Sequence, residues 1–260
     1  MSSVLEIQYS GHQHPLKLKR PPAPYFCDGC KELGFGICYQ CETCNRFSIH
    51  RECAIPTSPT YLHFFNDCRF EFYDKSQITP DEGRDCDVCG LDIKGYVYQC
   101  SCEKYDMHPH CAKLPETLDR EGVKLQLKKK SSLKCRKCHF RINSRKGPKG
   151  LCYVFSCETE TYCFHVACLK EMVYENWQNS YFNGDNKESD EVSKENDLAL
   201  QSTVSSSSST EIVEQKRKSS RNGWKMAILV MKLILSAIFG EPITGFTALV
   251  ASLAHILFQI

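Results

Sequence analysis

The chain has 260 residues and a formal net charge of +2 from 33 basic and 31 acidic side chains, so there is no global pull toward nucleic acid or lipid and any such binding must be local. Eighteen cysteines and nine histidines, grouped in pairs, exclude one large apolar core as the main source of stability and point to a row of small metal-stapled modules. Disulfides are the competing use, but the opening MSSVLEIQYS lacks the basic end and apolar run of a secretory signal, so a reducing cytosolic or nuclear setting is expected.

In chain order, the first predicted element is a β-strand at His14-Pro-Leu-Lys-Leu18, where apolar residues alternate. Cys27-x2-Cys30 follows, and a second strand, Gly36-Ile-Cys-Tyr-Gln40, leads into Cys41-x2-Cys44; five residues later comes His50-x2-Cys53. Two ligands separated by two residues can face one tetrahedral ion from a tight turn, so three ordered pairs within 27 residues are a zinc signature. After Cys53 the proline at Pro56 leaves room for little more than one helical turn.

The frame then repeats. The second copy has a strand at Cys68–Phe72, then Cys86-x2-Cys89, a strand at Gly95–Gln99, Cys100-x-Cys102, His108-x2-Cys111 and a breaker at Pro115. The third has strands at Val123–Leu127 and Leu151–Phe155, with Cys135-x2-Cys138 and His165-x2-Cys168. The His-x2-Cys pairs start at 50, 108 and 165, a period of 58 and then 57 residues, which is the mark of a tandem array. The copies decay along the chain. Cys100-x-Cys102 is one residue short, no His or Cys lies between Cys111 and Cys135, and Val123 and Thr159 stand where the third copy needs ligands. Cys38, Cys152, Cys157 and Cys163 fit no complete set and are expected as buried or unligated thiols. His12 and His110 have neighbours that already fill the ligand role, so both are expected to face solvent, with exchanged ligation as the alternative, and His139 is expected to point away from the metal.

The elements His-Pro-Leu-Lys-Leu, Tyr-Gln-Cys-x2-Cys, Ile-His-x2-Cys-Ala and Cys-Ala-Lys-Leu-Pro resemble the divergent C1 domains of plant cysteine/histidine-rich proteins, distant relatives of the diacylglycerol-binding module of protein kinase C. The resemblance covers roughly residues 12–172. It implies small β-rich modules with two interleaved zinc sites each: 12–65, 66–121 and a degenerate 122–172. By that resemblance Cys27, Cys30, His50 and Cys53 share one ion, while His14, Cys41, Cys44 and His63 hold another. The second module would use Cys86, Cys89, His108 and Cys111, with Cys68, Cys100 and Cys102 as an incomplete second set that Asp119 or Glu121 would complete. The third keeps Cys135, Cys138, His165 and Cys168, so four or five zinc ions are expected in all.

Residues 173–224, rich in Ser, Asn and mixed charge, read as a disordered linker ending in Lys216-Arg217-Lys218. Residues 225–260 read as a hydrophobic helical tail that attaches to a membrane, either as one span over 243–260 or as a helical pair broken at Glu241-Pro242. The basic cluster then sets the modules on the cytoplasmic face, with free cytoplasm or nucleus as the alternative.

Four-ligand sites are closed, whereas catalytic zinc keeps a position for water, so no enzyme is expected. The expected role is a zinc-stabilised interaction module in signalling, with a protein partner. Diacylglycerol is not favoured, because Gly34-Phe-Gly-Ile37 lacks the Gln-Gly turn that the resemblance associates with it. A RING-type ubiquitin ligase lacks its second half, since no cysteine follows Cys168; a PHD-type chromatin reader lacks its tryptophan, since Trp177 and Trp224 lie beyond the last ligand. A redox role through Cys-x2-Cys lacks the surrounding βαβ pattern, and only the four unmatched thiols keep one open as sensors of oxidation.

Overall fold

A computed structural model describes residues 5–44, 46–57, 60–62, 65, 68–74, 83–102, 104–120, 123–142, 144–157, 160–184 and 230–232. The sequence repeat becomes a repeat of sheets. β1 (Glu6–Ile7), β2 (Leu16–Lys19), β5 (Cys38–Cys41) and β6 (Ser48–His50) form one antiparallel sheet in that order. The second contains β7 (Thr60–Leu62), β8 (Cys68–Tyr73), β9 (Val97–Cys100) and β10 (Asp106–Met107), and the third β11 (Thr117–Arg120), β12 (Val123–Lys128), β13 (Cys152–Cys157) and β14 (Glu160–His165). β3 (Tyr25–Phe26) and β4 (Leu33–Gly34) pair beside the first Cys-x2-Cys turn.

The two strands predicted per copy are present, and each sheet gains one strand on either side. The leading strands β1, β7 and β11 are short and precede the ligand frame, so β7 and β11 join the sheet of the module that follows them. The third strands β6, β10 and β14 run up to the histidine.

Register repeats as strictly as order. Tyr39, Tyr98 and Tyr153, all nearly or fully buried on the second strands, stand opposite Ile49, Met107 and Phe164. Leu16, Phe70 and Leu125 fill the same place from the preceding strand. This is the pleat at work: residues two apart share a face, and the buried face fixes the register.

Among the hydrogen bonds that join each module to the next, two recur at equivalent positions. The carbonyl of Gly29, inside the first Cys-x2-Cys turn, accepts from Tyr96 N–H at 3.1 Å, and the carbonyl of Val88 accepts from Leu151 N–H at 2.8 Å. Tyr98 Oη donates to the Thr57 carbonyl at 2.7 Å, and Tyr153 Oη donates to the Pro115 carbonyl at 3.0 Å. Thr57 and Pro115 each lie four residues past the last cysteine of their module. The backbones meet closely here: a Cβ on Gly150 would come within 2.6 Å of the Val88 carbonyl oxygen, and Gly95 faces Gly29 and Cys30 the same way. Tyr153→Phe is expected to cost about 1 kcal/mol, because the Pro115 carbonyl loses its partner, and Tyr98→Phe about the same; shifts in urea midpoint with unchanged slope check this.

The modules share a core. One apolar cluster runs from Phe35 of the first module through Phe70, Val97 and Tyr98 of the second to Tyr153, Phe164 and Leu169 of the third. After His165 no proline intervenes, and α2 (Val166–Gly184) continues for 19 residues, with Val166, Leu169, Met172 and Val173 buried. This corrects the reading of 173–184 as disordered linker: Val173, Tyr174 and Trp177 give that stretch a face to pack. Most of the tail lies outside the described residues. Its described part, 230–232, is helical, with Val230 and Met231 buried in the same core cluster and Lys232 exposed. Among the described residues no helix is long and apolar enough to cross a membrane.

Candidate metal centres

Each Cys-x2-Cys pair sits in one turn, built three times over. Lys31, Gly90 and His139 donate from N–H to the carbonyls of Cys27, Cys86 and Cys135 at 2.9, 2.6 and 2.8 Å. The same three cysteines donate in turn from N–H to Glu32, Leu91 and Phe140. Closing that turn puts Lys31, Gly90 and His139 in the left-handed region, with φ of 63°, 73° and 60°. His139 is thus exposed on the turn, and the four-ligand group beside it is made by Cys135, Cys138, His165 and Cys168.

A third bond brings each turn to its histidine strand. Asp28, Asp87 and Arg136 donate from N–H to the carbonyls of Ser48, Asp106 and Cys163 at 2.8, 2.9 and 2.9 Å, each acceptor two residues before the ligand histidine. In the first two modules the aspartate side chain answers, accepting from Ser48 and Asp106 N–H at 2.8 Å. The helical turn then starts directly after the histidine, at α1 (Arg51–Ala54) and α2, or two residues later at the 3-10 turn Cys111–Lys113, and carries the last cysteine back.

The result is three groups with the ligand sets expected from the sequence: Cys27, Cys30, His50 and Cys53; Cys86, Cys89, His108 and Cys111; Cys135, Cys138, His165 and Cys168. In every group the ligand atoms lie within 4.8 Å of one another. The histidine Nδ1 stands 3.4, 3.4 and 3.3 Å from the sulfur of Cys30, Cys89 and Cys138, and 3.8, 3.9 and 3.8 Å from that of Cys53, Cys111 and Cys168. A zinc ion with bonds of about 2.3 Å to sulfur and about 2.0 Å to nitrogen has tetrahedral edges of roughly 3.5–3.8 Å, so these distances fit that ion. Electrostatics agree. Burial opposes charge on His50, yet Cys27 and Cys30 outweigh it and push the imidazole up to about 10. The Cys168 thiol, against burial and with help from His165, holds Cys135 down to about 3. These are sites where negative sulfur converges and a cation is wanted.

Outer contacts orient the ligands. His50 N–H donates to the sulfur of Cys27 at 3.4 Å, and His108 Nε2 donates to the Asp92 carbonyl at 3.1 Å, which fixes Nδ1 as the ligand atom.

A fourth group of four ligands stands beside β2 and β5: His12, His14, Cys41 and Cys44. His14 Nδ1 is 3.2 Å from the sulfur of Cys44, and the buried His12 Nε2 has no hydrogen-bond partner, as a metal-directed nitrogen would. His12 is therefore not turned to solvent as expected: the bend that follows the His12 N–H to Tyr9 carbonyl turn brings both His12 and His14 to the sulfurs of Cys41 and Cys44. His63, expected as the fourth ligand, lies outside the described residues.

The equivalent group in the second module holds three sulfurs, from Cys68, Cys100 and Cys102. Cys68 lies 3.4 Å from Cys102, and the sulfurs of Cys100 and Cys102 are placed as a disulfide. Asp119 does not complete the set: it lies on β11, paired with Lys124 in the third sheet. Glu121 is outside the described residues. Of the unmatched thiols, Cys38, Cys152 and Cys163 are buried, with the last two 3.1 Å apart, while the side chain of Cys157 is not described.

His110 was the least legible residue. It does not face solvent but lies at the meeting point of all three modules, its ring 4.9 Å from that of His50 and 5.4 Å from that of His108. Burial first, and then the Lys170 ammonium, hold its pKa well below the ordinary value, so it is neutral. Its Nε2 accepts from Lys170 Nζ at 2.8 Å, which leaves the proton on Nδ1, 4.0 Å from the sulfur of Cys30. Lys170, on α2, also approaches the sulfur of Cys111 at 3.6 Å and Glu32 Oε2 at 3.4 Å, and Glu32 Oε1 lies 3.7 Å from His108 Nε2. Burial alone would deprotonate Lys170, but Cys111, Cys89 and Glu32 hold its pKa well above the ordinary value. Zinc bound to three thiolates and an imidazole keeps one net negative charge, so the cation stays matched in the loaded site.

Residues 10–54 match the C1 domain family, a stretch that holds two of the four-ligand groups. No curated protein and no solved structure matches the chain.

Proposed function

We propose that the chain is a non-enzymatic, zinc-stabilised interaction array used in intracellular signalling and held at the cytoplasmic face of a membrane by residues 226–260. The observation that carries it is closure. In the first two modules Cys27, Cys30, Cys53, Cys86, Cys89, Cys111 and His108 are at most 2 % exposed and His50 is 7 %, which leaves an ion four protein ligands and no route for a substrate. Such zinc contributes folding energy and nothing to turnover. The partner this surface serves is a protein. Diacylglycerol is disfavoured because β3 and β4 are zipped together and Gly34 lies against Tyr25 and His50 with no room even for a Cβ.

Native mass spectrometry of the full chain is expected to show four firmly held zinc ions, with a fifth that leaves first when chelator is titrated in. His12→Ala is expected to remove one ion and leave the other three firmly held. A count of two or fewer overturns the ligand assignment.

The tail has a second reading, favoured by the burial of Val230 and Met231 in the shared core: the apolar segment packs on the array. Flotation with vesicles separates the two. Membrane attachment predicts that the full chain floats and a chain ending at residue 224 does not. Packing predicts that neither floats and that the shortened chain melts earlier.

A further inference from the structure

The near-neutral total conceals an uneven distribution. Residues 122–157 contain 11 Lys and Arg and no Asp or Glu, whereas the rest of the chain carries 22 basic and 31 acidic side chains, nine net negative charges. The third module is thus a cationic body in an anionic chain. Some of its cations are engaged: Lys137 pairs with Glu171 and Glu175, Lys149 with Asp85, and Arg136 lies over the Tyr162 ring. Lys130, Lys134, Arg141, Arg145 and Lys146 are exposed and have no acidic partner among the described residues.

Four of these lie on the chain that brackets one aromatic residue, Phe140: Lys134 and Arg141 on either side of it, and Arg145 and Lys146 on the turn that returns to it, while Lys130 precedes them on the same module. Lys134 and Arg141 face each other across an antiparallel bridge at the base of the Cys135-x2-Cys138 turn. Ser144 N–H donates to the Arg141 carbonyl at 3.2 Å and Gly147 N–H to the Ser144 carbonyl at 3.1 Å, which returns Gly147 to Phe140. Gly147 permits this: a Cβ there would stand 2.6 Å from the Cβ of Phe140. Phe140 remains 41 % exposed.

We propose that this face of the third module binds single-stranded nucleic acid, with Lys130, Lys134, Arg141, Arg145 and Lys146 on successive phosphates and Phe140 as the platform for a base. Unpaired cations alone serve any polyanion. An exposed ring among them adds the stacking surface that single strands use, and a turn in place of a helix or ribbon suits a flexible strand better than a duplex groove. A bilayer asks for several inserted apolar side chains. The other large exposed hydrophobics, Leu5, Phe26, Ile55 and Leu91, belong to the first and second modules. The inference rests on the third module holding its zinc, and the test reads zinc content separately.

The experiment is fluorescence anisotropy of a labelled 20-nucleotide RNA and of the same sequence as single-stranded DNA, titrated with zinc-loaded full chain across a salt series. Binding is expected to weaken with a log–log salt slope of about 3.5, near 0.7 for each of the five phosphates engaged. Arg141→Glu/Arg145→Glu/Lys146→Glu is expected to weaken it at least tenfold and to flatten the slope by about 2. Phe140→Ala is expected to weaken binding with the slope unchanged. Lys17→Glu/Lys19→Glu in the first module is expected to change nothing. Lys130→Glu/Lys134→Glu supplies an independent reversal if the triple variant loses its zinc by native mass spectrometry. RNA and DNA bound alike indicate backbone and base recognition; tighter RNA binding adds the 2′-hydroxyl. The proposal is overturned if neither strand binds at 50 mM salt, if the first-module reversal weakens binding equally, or if anionic vesicles bind through the same residues while the oligonucleotides do not.

Discussion

Removing zinc with a chelator is expected to unfold the three modules together, with loss of far-ultraviolet dichroism and of amide protection across residues 5–184. Structural zinc contributes about 10–16 kcal/mol per site in isolated zinc-finger peptides, as much as a domain's whole stability margin. Here the sites are also coupled. The second module lies between two joints and supplies the middle of the shared core, so losing its ion withdraws packing from Phe35 on one side and from Tyr153 and Leu169 on the other. Cys89→Ser isolates the effect, since it damages only the second module's buried site. It is expected to remove protection from β13 and β14 as well as from β9. Hydrogen exchange that stays native in the third module would show that the modules fold independently.

The second large effect is expected at Lys170. Lys170→Met leaves the largely shielded Glu32 without its cation, His110 without its donor and the sulfur of Cys111 without its counter-charge, at a cost of about 3 kcal/mol. Lys170→Met/Glu32→Gln is expected to recover more than half of that, because the stranded carboxylate is gone and the methionine fills the stem's volume. A double-mutant cycle by urea unfolding at fixed free zinc measures the coupling, expected at about 1–3 kcal/mol. A single variant within about 0.5 kcal/mol of the parent would mean that Lys170 is a surface lysine and the junction holds by shape alone.

The parts of this fold that were legible from sequence are those where chemistry and spacing coincide. Cys-x2-Cys and His-x2-Cys can meet in few ways, and three buried groups stand as their period required. His12 was not readable, because a bend and not a strand brings His12 and His14 to the same two sulfurs, and spacing alone does not fix where a bend sends its side chains. The joints were not readable. Tyr98 reaches a backbone carbonyl 41 residues away, and Tyr153 one 38 residues away, and a carbonyl has no residue type to betray it. The repeated tyrosine at 39, 98 and 153 was the only outward trace. His110 and Lys170 are 60 residues apart and acquire their roles only when three modules meet. The length of α2 was hidden by composition, because Asn and Ser after Trp177 suggest a linker even where Val173 and Tyr174 bind the first turns to the core.

The decay of ligands along the chain has a counterpart in strand length. The first module, with two four-ligand groups, has strands of four, four and three residues around its ligands; the third, with one such group named among the described residues, has three strands of six. Longer pairing and a larger shared core supply in the third module what the ion of a second site supplies in the first.

The joints also have a direction in time. In each, the accepting carbonyls, Gly29 and Thr57 or Val88 and Pro115, belong to the earlier module, and the donors, Tyr96 and Tyr98 or Leu151 and Tyr153, to the later one. A chain leaving the ribosome completes the acceptor half before the donor half exists, so a module that has captured its zinc presents a finished template to the strand still being made. Synthesis order and docking order coincide, and a shortage of zinc during translation would stall the array at its first turn.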